Sequence, residues 1–256
     1  MTPNLFDIHC HLYDLPDLDE SIARARDAGV TGVLCVSEDC DSMKKVLDLK
    51  AQYPQFIHAG LGLHPANAMR LSAEEIGRTM EFMEAHLHEA RMVGEIGLDY
   101  KYAATPEERD KQSGVLKDQL ALAARFRLGV NLHSRRALRE TLDAAAVFHR
   151  ETGLPALLHW FTHSSKLIRK ASAEGLFMSA GPAVLYSGEI LKTALAIPLE
   201  NFVLETDTPV PFGGVSSRPH QIADVARRLA EGRQISVEDL AGAAHAHSLS
   251  LLSINP

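Results

Sequence analysis

The sequence predicts an α/β fold, a single-domain (β/α)8 TIM barrel over residues 1–256, from three observations. Short apolar runs, many of them rich in β-branched residues, alternate with stretches whose apolar residues recur at helical spacing. There are eight such runs, and about 250 residues is typical of a chain that closes eight βα units into a barrel. The competing architecture, an open doubly wound sheet, would carry a glycine-rich phosphate loop, and neither a GxGxxG nor a Walker sequence is present.

The elements follow in chain order from these patterns. The predicted strands cover residues 5–10, 30–36, 56–63, 92–98, 130–133, 155–160, 176–179 and 202–205. The predicted helices cover residues 18–28, 42–52, 74–88, 106–126, 136–151, 165–174, 189–196, 222–231 and 237–250. Helix starts carry capping signals, namely Asp39 or Asp41, Ser72 with Glu75, and Thr105 before Pro106. Glycines between a helical stretch and the next apolar run predict left-handed C-caps at Gly29, Gly129, Gly153 and Gly175.

Composition excludes several classes of protein. Hydrophobic residues make up 46% and charged residues 23% of the chain, which is a globular composition. The net charge of −7 argues against a general nucleic-acid or membrane coat but leaves room for a local basic rim. No apolar run approaches the roughly 18 residues of a membrane span, and the first residues show no secretory signal. Three cysteines without a CxxC pair indicate a reducing compartment. We therefore expect a cytoplasmic monomer that does not interact with membranes.

The strongest local signal lies at the end of the first predicted strand, which reads Asp7-Ile8-His9-Cys10-His11. Strand side chains alternate between faces, so Asp7, His9 and His11 are expected on one face and Ile8 and Cys10 on the other. Two imidazoles at this spacing can bind a single metal ion, and a nearby carboxylate can orient or join them.

Other predicted strands also end on polar residues. These ends read Gly62-Leu63-His64-Pro65, Gly94-Glu95-Ile96-Gly97-Leu98-Asp99, Leu132-His133-Ser134-Arg135, Leu158-His159-Trp160-Phe161 and Leu204-Glu205-Thr206-Asp207. Barrel enzymes carry their active sites at the carboxyl ends of the strands. Polar groups that converge there unpaired would each cost about 2–7 kcal/mol to bury, and metal coordination satisfies them together. The spacing thus predicts a mononuclear or binuclear metal site.

At these six motifs the sequence resembles the TatD family of metal-dependent deoxyribonucleases, which are amidohydrolase-like barrels. The motifs stand in the family's order and run from the first strand to Glu205-Thr206-Asp207-Thr208-Pro209. The resemblance implies two neighbouring divalent ions. The first would be held by His9, His11, Glu95 and Asp207, and the second by a bridging Glu95 with His133 and His159. Nitrogen and oxygen ligands without thiolate leave the metal open among Zn, Mg, Mn, Ni and Co.

Two bound ions would convert a water molecule into the nucleophile near neutral pH. The resemblance gives the catalytic roles to Asp207, as the acceptor of the water's proton, and to the bridging Glu95. Arg135 and His64 are candidates for contacting a phosphate or developing oxyanion, since a guanidinium matches phosphate geometry. Glu205 is a further candidate, either for orienting an incoming group or for orienting a ligand.

The expected activity is hydrolysis of phosphodiester bonds in DNA, directed to the 3′ ends of single strands. An amide or ester hydrolase with the same metal centre, such as an aminoacyl-tRNA deacylase or a small-molecule amidohydrolase, is the alternative. If the substrate is not DNA, we expect a small phosphodiester or ester. A third possibility is a non-catalytic subunit of a multiprotein system.

Two loops depart from the family pattern and motivate the alternative. The family usually has a small residue and glycine where this chain has Thr162-His163-Ser164, and we expect His163 to be a solvent-facing loop residue. In residues 208–220 only Pro219 keeps the family's Asn-Glu-Pro segment, with Arg218 where an acid is expected. These loops are expected to shape the substrate pocket and leave the metal ligands unchanged.

Overall fold

The computed structural model describes residues 3–162 and 164–254, so the expectation for His163 lies outside the described residues. Eight parallel strands form one sheet in the order β1 to β8, each hydrogen-bonded to the next along the chain. These strands are Leu5–Cys10 (β1), Val30–Val36 (β2), Ile57–Leu61 (β3), Met92–Asp99 (β4), Gly129–Arg135 (β5), Ala156–Leu158 (β6), Phe177–Ala180 (β7) and Phe202–Leu204 (β8). An antiparallel pair follows, Pro211–Phe212 (β9) and Val215–Ser216 (β10).

Helices connect consecutive strands of the barrel, and the last two helices follow β8. They are Leu18–Asp27 (α1), Cys40–Gln52 (α2), Pro65–Ala68 (α3), Ala73–His86 (α4), Pro106–Phe126 (α5), Leu138–Thr152 (α6), Ser165–Ala173 (α7), Ala183–Tyr186 (α8), Gly188–Leu195 (α9), Ile222–Arg233 (α10) and Val237–Leu251 (α11). Short 3-10 turns lie at Leu12–Asp14, Leu87–Glu89, Leu199–Asn201 and Pro219–Gln221.

The barrel closes where the segment after β8 meets β1. The Asp207 N–H donates to the His9 carbonyl at 2.9 Å, and the His11 N–H donates to the Thr208 carbonyl at 2.6 Å. The buried Asp7 side chain adds a third link, because its Oδ1 accepts from the Thr206 N–H at 2.9 Å. The predicted (β/α)8 barrel is therefore confirmed.

The first strand departs from the alternation that the sequence predicts. Its pairing with β2 shifts register between Asp7 and Cys10, and Ile8 and Cys10 belong to different clusters of the core. A register shift of this kind inserts a local irregularity that re-aims side chains. The expectation that Ile8 and Cys10 share a face was wrong for this reason.

Helix boundaries follow the capping signals closely. Asp39 caps α2 by accepting from the Ser42 N–H at 2.8 Å, which decides between the two acids proposed from the sequence. The predicted left-handed cap at Gly129 was wrong. Helix α5 ends at Phe126, the left-handed residue is Arg127 with a φ of 55°, and Gly129 already begins β5.

Within the described ranges, none of the helices has both the length and the apolar character that crossing a bilayer requires.

Candidate metal centre

Five segments at the carboxyl-terminal end of the barrel bring six potential metal ligands together. The strands β1, β4 and β5 carry or directly precede four of them, and the segments after β6 and β8 supply the other two; together they are His9, His11, Glu95, His133, His159 and Asp207. All are buried except His133, which is partly exposed. Apolar residues that precede these side chains on the same strands pack in the core, which fixes where the polar residues lie.

The first cluster contains His9, His11, Asp207 and one oxygen of Glu95. Nε2 of His9 lies 3.3 Å from Nε2 of His11. Oδ1 of Asp207 lies 3.6 Å from the first of these nitrogens and 3.5 Å from the second. Oε2 of Glu95 lies 3.7 and 3.5 Å from the same two nitrogens. Ligands at 2.0–2.1 Å from a tetrahedral ion stand about 3.4 Å apart, so this donor set fits one divalent ion.

The second cluster contains His133, His159 and the other oxygen of Glu95. Oε1 of Glu95 lies 2.9 Å from Nδ1 of His133 and 2.8 Å from Nε2 of His159. The two ring nitrogens are 3.4 Å apart. Glu95 therefore presents one oxygen to each cluster, which is the arrangement of a carboxylate that bridges two ions.

Hydrogen bonds on the far side of each ring select the nitrogen that faces the cluster. Nδ1 of His9 lies 3.0 Å from Oδ1 of Asn131, and Nδ1 of His11 lies 3.2 Å from the Val36 carbonyl. Each of these acceptors holds a proton on Nδ1, so that Nε2 is the nitrogen that can bind an ion at the site. Such outer partners of metal-ligating histidines fix both tautomer and ring orientation.

The rings of the second cluster are oriented differently. Nε2 of His133 lies 3.3 Å from Oδ2 of Asp99, so this ring presents Nδ1 to the site. Gln112 in turn holds Asp99 by hydrogen bonds to its main-chain N–H and carbonyl. Nδ1 of His159 is buried and has no hydrogen-bond partner among the described residues; Oε2 of Glu205 lies 3.7 Å from it.

Electrostatics at the site favour positive charge on His11 and His159. Burial opposes a charge on His11, yet its contact with Asp207 and the charge of Glu95 raise the pKa of His11 to about 10. Burial likewise opposes a charge on His159, but Glu95 raises the pKa of His159 well above its ordinary value. Burial alone would raise the pKa of Glu95, and the surrounding imidazoles instead hold it well below its usual range. The carboxylates thus attract either protons or metal ions, and metal binding must displace the protons.

Asp7 does not join the candidate metal ligands that neighbour it in sequence. Its carboxyl accepts from the Thr206 N–H and contacts the Thr206 hydroxyl, and burial raises the pKa of Asp7 to about 8. The residue therefore fastens β1 to the segment that carries Asp207.

The three residues expected to contact substrate lie in different surroundings. His64 is buried and lines the same cavity as the ligands; its Nδ1 accepts from the Ala66 N–H at 3.1 Å, and its Nε2 lies 3.6 Å from Glu95. Arg135 is exposed at the rim of that cavity. Glu205 is fully buried behind the ligands, where its oxygens accept from the Trp160 N–H at 2.8 Å and the Ser179 hydroxyl at 2.7 Å.

Asn131 is the main site residue that sequence reasoning missed. It is a polar residue inside an apolar strand, two positions before His133, and that placement was the available signal. Its partner His9 is 122 positions away in sequence, so only the fold brings them together.

Known proteins resemble this chain along almost its whole length. The family model described as TatD related DNase matches residues 6–253. The metal-dependent hydrolase YabD of Bacillus subtilis is 30% identical over 266 aligned positions, covering 98% of this chain and all of that protein. The 3′-5′ ssDNA/RNA exonuclease TatD of Erwinia tasmaniensis is 31% identical and covers 80% of each chain. The crystal structure of YJJV, a TatD homolog from Escherichia coli K12, superposes with a TM-score of 0.86 at 27% identity over the full length of both chains.

Proposed function

The chain belongs to the family of TatD-related DNases, and from this membership we propose that it removes nucleotides from the 3′ ends of single-stranded DNA with two divalent ions. It is a metal-dependent hydrolase of the TatD type. The observation that carries the proposal is the position of Glu95, whose two oxygens each face a separate cluster of buried imidazoles. The name of the Erwinia relative supports both the polarity and the single-stranded substrate.

We assign His9, His11, Asp207 and Glu95 to the first ion and Glu95, His133 and His159 to the second. When bound, the ions would lower the pKa of a water molecule and neutralise charge on the phosphate. Their identity among Zn, Mg, Mn, Ni and Co is left to experiment, because nitrogen and oxygen donors suit all of them.

Asp207 is our candidate for accepting the proton of the attacking water. Its Oδ1 faces His9 and His11, and its main chain is fixed to β1 by the hydrogen bond from its N–H to the His9 carbonyl. The water oxygen attacks phosphorus as its proton passes to the Asp207 carboxylate, the bond from phosphorus to the leaving oxygen breaks, and the proton then passes from Asp207 to that oxygen.

His64 and Arg135 are our candidates for substrate contacts. Since Nδ1 of His64 accepts a hydrogen bond from the main chain, the proton of the neutral ring lies on Nε2, which faces the site as a donor. Burial lowers the pKa of His64 to about 4, which keeps the ring neutral. The Arg135 guanidinium has no ion-pair partner among the described residues and is free to bind a phosphate.

Because Glu205 is buried, it is better placed to orient a metal ligand than to orient an incoming group. The Glu205 carboxylate lies 3.7 Å from Nδ1 of His159 and also accepts a hydrogen bond from the N–H of Trp160, the residue that follows His159. We propose that it positions His159.

A direct test uses purified protein stripped with a chelator and then supplied with each candidate ion. Single-stranded DNA labelled at the 5′ end should shorten stepwise from its 3′ end, and a 3′-blocked copy should resist. Glu95→Gln should remove the activity, whereas Glu151→Gln on the exposed surface should not. Turnover of aryl esters or amides but not of DNA would overturn the proposal in favour of a carbonyl hydrolase.

We also propose that the protein acts as a cytoplasmic monomer. The three cysteines are free thiols in the structure, which supports a reducing compartment. Sedimentation analysis would measure the oligomeric state.

A further inference from the structure

Trp160 follows the metal-site residue His159 directly and lines the same cavity. This cavity has a volume of about 840 Å³ and contains His11, Glu95, His133 and Asp207 among its walls. Trp160 is partly exposed there, although the mechanism proposed above gives it no task. It is also the one tryptophan in the sequence.

The indole is held in place from two sides. Its ring makes an edge-to-face contact with the buried Phe212 of β9, with centroids 4.9 Å apart and planes at 69°. Its main-chain N–H donates to Glu205 at 2.8 Å and to Ser179 at 2.9 Å. Both acceptors are buried beneath the cavity, so these hydrogen bonds fix the main chain of Trp160.

The main chain at Trp160 is left-handed, with a φ of 44°. A bulky side chain is unfavourable in this conformation, and such residues persist where the surroundings enforce them, often at functional sites. A glycine or asparagine would satisfy the turn at lower cost. The turn geometry therefore does not explain why an indole stands here.

Cations and a second aromatic ring surround the same part of the rim. Arg70 follows α3, Tyr102 follows β4, and Arg135 and Arg136 end or follow β5, next to the segment of Trp160 after β6. Within the described ranges no hydrogen bond or ion pair engages the three guanidinium groups. Tyr102 is 40% exposed. The acids Asp207 and Glu38 line the cavity from the other side, after β8 and β2.

A groove that combines aromatic rings with unpaired cations is the arrangement that binds single-stranded nucleic acid, because every base has a face that can stack. We propose that Trp160 forms a base-stacking subsite of the metal centre, with the arginines of the rim binding the phosphates that follow. Because Trp160 adjoins His159, the stacked base belongs to a nucleotide next to the scissile phosphate. The inference rests on the proposed nuclease function and names how that substrate is held.

The test pairs enzyme variants with substrates that lack one base. Wild type, Trp160→Ala and Trp160→Phe are assayed with their metals on single-stranded DNA, intact or abasic at the terminal or penultimate 3′ position. Base stacking on an aromatic residue corresponds to roughly a five- to hundred-fold effect. We expect Trp160→Ala to lower kcat/KM by this factor on intact DNA. Trp160→Phe should retain most of the wild-type kcat/KM, because phenylalanine can still stack on a base. Abasic DNA should lower wild-type kcat/KM equally and leave Trp160→Ala unaffected.

If removal of the base lowers the kcat/KM of Trp160→Ala as much as that of wild type, the two losses are additive. That result would contradict the stacking subsite and indicate that Trp160 has a packing role. Metal content and thermal stability of each variant identify a folding defect, and Tyr186→Ala is the matched control because Tyr186 is exposed and lies outside the cavity. If wild type cleaves no DNA at all, the nuclease proposal itself fails, which is a different outcome.

A binding measurement gives an independent readout. Fluorescence of the lone tryptophan should be quenched by a phosphorothioate oligonucleotide that resists cleavage, and less by its abasic copy. Equal quenching by both would count against stacking.

Discussion

The side-chain amide of Asn131 holds the imidazole of His9 from the side opposite the metal cluster. Its Nδ2 donates to the Ile8 carbonyl at 3.1 Å, so its Oδ1 must be the atom that accepts from Nδ1 of His9 at 3.0 Å. The lone pair of His9 Nε2 is thereby directed at the site. One buried amide joins β5 to β1 and sets the chemistry of a candidate ligand.

Replacing Asn131 with Ala should weaken metal binding by about 10- to 100-fold, the range for loss of an outer partner of a ligating histidine. Competition with a chromophoric chelator measures the change. Asn201→Ala is the control, since Asn201 is also buried and donates to a main-chain carbonyl away from the metal centre. Equal affinities in the two variants would contradict the role assigned to Asn131.

Glu95→Gln should bind fewer than two ions per chain and lose more than about 100-fold in kcat, above the loss for an outer partner. The glutamine side chain has the same size but is neutral and has only one oxygen. It therefore cannot offer a negatively charged oxygen to both clusters. Metal analysis after dialysis reads the stoichiometry. Retention of two tightly bound ions would remove Glu95 as the bridge.

Metal affinity should rise with pH. The pKa of His11 is raised to about 10 by Asp207 and Glu95 against the effect of burial, so in the metal-free protein its ring is protonated at neutral pH. A metal ion must displace that proton, and each displaced proton gives about a tenfold gain in affinity per pH unit below the pKa. Calorimetry in buffers of different ionisation enthalpy should detect the released protons. A constant affinity between about pH 6 and about pH 9 would contradict this expectation.

His58 should make the fold less stable in mild acid. Burial, assisted by Arg91 and Lys50, lowers the pKa of His58 to about 4, below the ordinary value of 6.5. The unfolded chain therefore binds more protons between these values, and the free energy of unfolding falls as pH drops through that window. Urea unfolding of His58→Gln should show a shallower pH dependence than wild type. The same comparison with His88→Gln, at an exposed position, should show no difference.

DNA binding should be weak, directed to strand ends and modestly sensitive to salt. Three unpaired arginines at the rim predict a slope of log affinity against log salt of roughly −2 for single strands. Arg135→Ala should reduce the magnitude of this slope by about 0.7, whereas Arg139→Ala, on the exposed face of α6, should not. Tight binding along a duplex in a band-shift assay would contradict the prediction, which follows from the net charge of −7.

The sequence predicted the barrel and the proximity of the candidate ligands because both depend on short-range patterns. Short apolar runs identify the strands, and parallel strands must present their final residues at one end. The prediction that the sixth strand continues to residue 160 was wrong. Strand β6 ends at Leu158, because the chain turns into a left-handed conformation at Trp160. The partnership of Asn131 with His9 and of Asp99 with His133 depends on which strands become neighbours. No local sequence pattern encodes which residues from different strands become hydrogen-bond partners. The single-domain assignment stays a prediction.

The hydrogen bonds that seal β8 to β1 run between residues of the site itself, from Asp207 to His9 and from His11 to Thr208. In a chain still being synthesised, His9 and His11 are made long before Asp207. On the ligand assignment proposed above, the first cluster therefore forms only after the segment that follows β8 has been made, and a polypeptide that ends before Asp207 lacks it.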